Sequence, residues 1–181
     1  DIIFGGFITG LLLSIFVGAT FFMLIETSMT RGFRAALWFD LGVVTSDASI
    51  IVAVYFFASW IDRMIIKNEY FNIIGGIIFI AFGLNYVLSR NKNDGEPVVR
   101  KKNVRLFLNG YLVNLLNPAV ALFWLGTMAI SITKFKYSGM EVLMHYGTAL
   151  ITMASIDVIK AYFSYKLSTF IHSKILRVIY I

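Results

Sequence analysis

Five long apolar runs dictate what this chain can become. They occupy residues 2–25, 36–61, 71–89, 106–133 and 142–165. A helix needs about 20 apolar residues to cross the roughly 30 Å of bilayer hydrocarbon, and each run meets or approaches that length. Membrane barrels instead use ~10-residue segments with alternating polarity, and these runs are continuous. Helices satisfy their own backbone hydrogen bonds in lipid, so the expectation is an all-α integral membrane bundle. A soluble alternative fails on composition. Apolar residues make up 59% and charged residues 14% of 181 positions, against about 25% charged in soluble domains. One small core cannot hide that much apolar surface.

Charge sets the orientation. Loop one carries Arg31 and Arg34, residues 90–105 carry six bases, and the stretch after 165 carries Lys166, Lys174 and Arg177. The alternate loops hold only Arg63, Lys67, Lys134 and Lys136. Basic loops stay in the cytoplasm, which predicts an outside N-terminus and explains the pI near 9.6 without nucleic acid. Residues 90–105 read as a basic cytoplasmic linker between two parts, 1–89 and 106–181. The run 171–181 reads as the approach to a sixth span, so the chain is expected to be a piece of a longer reading frame. A basic leader and a small-residue cleavage site are both lacking, so the first run is not a signal peptide. With no Cys, disulfides, thiolate metal sites, Cys nucleophiles and lipidated Cys anchors are excluded.

The two parts resemble each other. At an offset of one hundred, Phe7-Ile8-Thr9-Gly10 aligns with Phe107-Leu108-Asn109-Gly110, Ser14 with Asn114, Gly18 with Pro118, and Ala19 with Ala119. At a slightly larger offset Asp47 aligns with Asp157. Three spans per part is an odd number, so the second part must enter the membrane upside down. The predicted fold is a six-helix bundle of two inverted three-helix repeats, with five spans and a fragment in this sequence.

Few residues can carry chemistry. Asn117-Pro118 interrupts the fourth run, because Pro lacks an N–H and clashes with the preceding turn. Asn114 lies one turn before Asn117 on the same face. Gly18 and Ala19, with Ser14 and Thr20, make a matching weak point in the first run. Paired interruptions point to a transport site; a simple kink with Asn side chains bridging helices is the alternative. Asp47 lies near the middle of the second run, where an acid costs about 2.5–3.5 kcal/mol on insertion scales. It must pair, hydrate or protonate, which suits ion coupling, or it bonds a neighbouring helix. Asp157 follows the same logic. Lys160, at i+3, either pairs with Asp157 or snorkels to the surface. Asp40, one turn into its span, reads as interfacial, and His145 as a packing residue. Gly75, Gly76 and Gly83 read as close helix packing, not as a phosphate loop. No spacing suggests a nucleophile with its base, and no cofactor is implied.

Several runs together resemble the LysE/RhtB family of amino-acid exporters. They are Gly18 to Ser28, Arg31-Gly32-Phe33-Arg34, Gly42 to Asp47, Leu116-Asn117-Pro118-Ala119, Phe123-Trp124-Leu125-Gly126 and Asp157-Val158-Ile159-Lys160. The family usually shows Gly-Pro at the first break, where this chain has Gly18-Ala19. The resemblance implies six spans in a bacterial inner membrane and efflux of amino acids or related metabolites, driven by protons. On that reading Gly18, Ala19, Asn114, Asn117 and Pro118 bind substrate, and Asp47, Asp157 and Lys160 couple ions. Partners are then a small molecule, protons and lipid, with a homodimer left open. A divalent-cation exporter and a non-transporting membrane subunit are the alternatives.

Overall fold

The computed structural model describes residues 1–16, 18–64 and 103–179. The third predicted span and nearly all of the predicted linker lie outside the described residues. Six helices account for almost everything else: α1 (Ile2–Ile15), α2 (Ala19–Arg31), α3 (Phe33–Met64), α4 (Asn103–Leu115), α5 (Pro118–Thr133) and α6 (Met140–Ile179). Among the described residues there is no strand, and the protein is an all-α membrane protein. Among the described residues two helices carry stretches long and apolar enough to cross a bilayer alone, Phe33–Phe56 of α3 and Met140–Ser168 of α6.

The first and fourth predicted spans are not single helices. Helices α1 and α2 meet at 73°, and α4 and α5 meet at 63°. The second break follows from Pro118, which starts α5 at a position where its missing N–H costs nothing. Asn117 caps that helix, its Oδ1 accepting from the Ala119 N–H at 3.1 Å. The first break has no Pro. Gly18 stands there as an extended residue before α2, and no side chain caps the helix. The stretch after residue 165, predicted as a loop, is helical instead, and α6 runs unbroken for 40 residues. No Gly or Pro occurs after Gly147 to stop it.

The four half-helices wrap the two long ones. Helix α1 packs chiefly on α6, and α4 on α3, so these two half-helices lean on the long helix of the other part, while α2 packs on both long helices. The closest approaches are at glycines. A Cβ on Gly10 would lie 2.4 Å from the Ala149 carbonyl oxygen; one on Gly110 would lie 2.0 Å from that of Phe39. Gly10 and Gly110 are 100 residues apart, and Phe39 and Ala149 are 110 apart. Those are the offsets that align the sequence with itself, so the same backbone contact occurs twice. Small residues let membrane helices approach until backbone touches backbone. Apolar side chains fill the centre, with Trp124, Met128, Tyr146 and Ala149 almost wholly buried.

Candidate functional site

The two breaks open onto one cavity between α3 and α6, about 50 Å³ in volume. Asp47 comes from the middle of α3 and is 1% exposed. Its Oδ1 accepts two hydrogen bonds, from Asn114 Nδ2 of α4 at 2.9 Å and from Trp124 Nε1 of α5 at 2.8 Å. The acid therefore ties α3 to both arms of the second broken span. Asn114 also reaches the Val43 carbonyl at 3.4 Å, spending its second N–H on the same helix.

The opposite wall belongs to α6. Lys160 Nζ lies 2.7 Å from Asp157 Oδ1 and also donates to the Ser14 carbonyl at the end of α1. The Ser14 hydroxyl turns back to Leu11 of its own helix. Lys160 is thus inward-facing and paired, one of the two alternatives its position allowed, and it does not snorkel. Its ammonium is 5.5 Å from the centre of the Phe21 ring, beside the start of α2.

Of the residues predicted to act, Gly18, Asp47, Asn114, Asn117, Asp157 and Lys160 line this one cavity. Ala19 and Pro118 do not; their neighbours Thr20 and Ala119 do. Pro118 serves instead as the first residue of α5, where it shapes the break.

Asp40 corrects the sequence reading. It is not interfacial: it is 5% exposed and lines the cavity. Its Oδ1 is buried with no hydrogen-bond partner among the described residues. The helix begins at Phe33, not near 36. That adds a turn before Asp40 and carries it under α2, which also packs on α3. Trp124 is the other residue missed. A buried indole N–H must find an acceptor, and in an apolar helix whose carbonyls are already bonded the acids are the obvious takers. His145 behaves as expected of a packing residue, joining α6 to α1 through Thr9 Oγ1 at 3.2 Å.

Helix geometry adds to the charge pattern. Both α2 and α5 begin at the cavity, and helix N-termini carry partial positive charge and unpaired N–H groups. In α5 the Asn117 side chain satisfies one of them; in α2 no side chain among the described residues does so. Among the described residues no three carboxylate or imidazole groups converge where a metal ion could be held.

Comparison with known proteins agrees with this architecture. The family model described as LysE type translocator matches residues 11–180. A protein of Bacillus subtilis (strain 168), named "Putative amino acid efflux protein YcgF", is 25% identical over 178 residues. The match covers 94% of this chain and 83% of that protein. No solved structure matches the chain. With nearly its whole length matched, and with its interrupted helices and buried acids gathered at one cavity, the chain belongs to the family of LysE type translocators, a family of transporters rather than enzymes.

Proposed function

We propose that the protein is a secondary active exporter of amino acids or related small metabolites, coupled to protons, in a bacterial inner membrane. One observation carries this reading: the two helix breaks and the buried acids of both parts line the same cavity. Discontinuous helices whose ends meet at mid-membrane are how transporters coordinate polar substrates without exposing backbone to lipid. The name of the Bacillus relative supports amino acids as the cargo. Asp47 and Asp157 are the proton carriers in this scheme. Each can change charge inside the cavity, and Asn114, Trp124 and Lys160 hold them in place.

The doubled Gly10–Ala149 and Gly110–Phe39 contacts support the inverted-repeat plan, with residues 1–89 and 106–181 as the two units. One unit rocks against the other and exposes the cavity to alternate sides. Coupling then requires that proton and substrate bind the two states unequally. The basic loops face the cytoplasm and the N-terminus the outside. Among the described residues no three acid or imidazole groups are placed to hold a metal ion together, so a divalent-cation exporter gains no support there.

The test is reconstitution. Vesicles holding the purified protein and a mixture of labelled L-amino acids should release label when a pH gradient is imposed. If no amino acid or metabolite moves under any gradient, the proposal fails.

A further inference from the structure

Two of the four ionisable groups at the cavity have no counterpart in the other part of the chain. At the offset of 110, Asp47 corresponds to Asp157. Asp40 corresponds to Leu150, and Lys160 to Ile50. What the two parts share is therefore an acid each. What they do not share is one further acid on α3 and one base on α6, so an extra acid and a base stand among the groups lining the one cavity.

The base has capacity to spare. An ammonium has three donors, and Lys160 spends two, on Asp157 and the Ser14 carbonyl, leaving one. Beside it lies the uncapped start of α2, a 13-residue helix. The extra acid is unsatisfied. Asp40 is more than nine-tenths buried, its Oδ1 has no donor among the described residues, and Asp47, Asp157 and Lys160 are its charged neighbours. An unpaired carboxylate oxygen in a membrane interior is costly and calls for a specific reason. A ligand that brings its own N–H donors supplies one.

We propose that Asp40 accepts the ammonium group of the transported molecule while Lys160 and the N-terminus of α2 take its carboxylate. Asp40 is then the residue that selects, among amino acids and related metabolites, those with a free ammonium. This assignment rests on the exporter reading and sharpens it. The resting cavity holds only a few waters at about 50 Å³, so these groups engage cargo once the units move apart.

The experiment uses the full chain in vesicles loaded with unlabelled L-amino acids, and follows counterflow of a labelled mixture of the same compounds. Competitors are the N-acetylated mixture, which lacks the ammonium, and the unmodified mixture. Wild type should discriminate against the N-acetylated mixture by at least about tenfold. Asp40→Asn should raise the half-saturation concentration by about 10- to 100-fold, the range expected for losing a hydrogen bond to a charged group, and should erase the discrimination. Equal competition by the N-acetylated compounds overturns the assignment. So does an unchanged half-saturation in Asp40→Asn, while normal flux leaves the exporter reading standing. Absence of any amino-acid movement in wild type removes both. If Asp40→Asn aggregates, Asp40→Ser takes its place, and retained discrimination against the N-acetylated mixture there overturns the assignment.

Discussion

Asp47 shows how much a single acid can organise when water is scarce. Its Oδ1 collects donors from α4 and α5, so removing either donor loosens a broken span from α3. Trp124→Phe keeps the aromatic ring, which packs edge-on against Tyr146 at 5.8 Å, and deletes only the N–H. We expect a loss of about 1–3 kcal/mol, the range for a hydrogen bond to a charged group and for its orphaned partner. Unfolding in detergent measures it, and a loss near zero would show that Asp47 does not need the indole. Asp47→Asn is the complementary change. The amide keeps an acceptor oxygen for Trp124 and Asn114, so folding should survive while the proton site of the proposed mechanism is lost. Vesicles carrying it should lose accumulation driven by a pH gradient yet retain exchange of substrate for substrate. Part of this was legible from residue types alone. Acids in apolar runs are expensive enough to be noticed, so Asp47 and Asp157 stand out in the sequence. Asp40 does not, because a position near the predicted start of a span looks wet until the helices that cover it are seen. Trp124 sits in a recognisable run, but its acceptor lies 77 residues away and nothing local names it.

Among the elements, the half-helices are positioned by glycine rather than by side-chain interlock. A methyl group on Gly110 would sit 2.0 Å from the Phe39 carbonyl oxygen, and one on Gly42 would sit 2.0 Å from that of Phe107. These are backbone atoms and cannot swing aside, so α3 and α4 must separate. Gly110→Ala should cost about 1–3 kcal/mol, as overpacking does. Gly126 in α5 meets nothing within 4 Å among the described residues. Gly126→Ala should therefore leave the thermal midpoint in detergent within a degree or two of wild type, given that about 1 kcal/mol moves a domain of this size by a few degrees. Equal effects at both positions would mean that the glycines are not packing sites. The helix breaks differ in how openly the sequence declares them. Pro118 announces one, since it can begin a helix but not continue one. The other rests on Gly18 and becomes visible only when the chain is aligned with itself. The long α6 was misjudged for the opposite reason. Its bases at 166, 174 and 177 look like a loop, yet nothing in that stretch breaks a helix.

For the molecule as a whole, a cavity that admits only a few waters and an exporter that moves metabolites can coexist only if the units shift. The starts of α2 and α5 mark where that shift must register, because they come from the two proposed units and meet at the cavity. A Cβ on Gly18 would lie 3.8 Å from Asn117 Nδ2. The chain has no Cys, so the pair Gly18→Cys with Asn117→Cys introduces the only thiols. Bridging them, by oxidation or with a short bifunctional thiol reagent, ties one repeat to the other at the midplane. A rocking mechanism predicts that counterflow in a single vesicle preparation stops on cross-linking and returns on reduction, with the loss of free thiols counted by maleimide labelling. Each preparation is its own control, so any cost of the substitutions to basal flux cancels. Were the thiols consumed and the flux undiminished, the breaks would not move apart during transport. The cavity would then have to fill and empty by side-chain motion alone, without relative movement of the units.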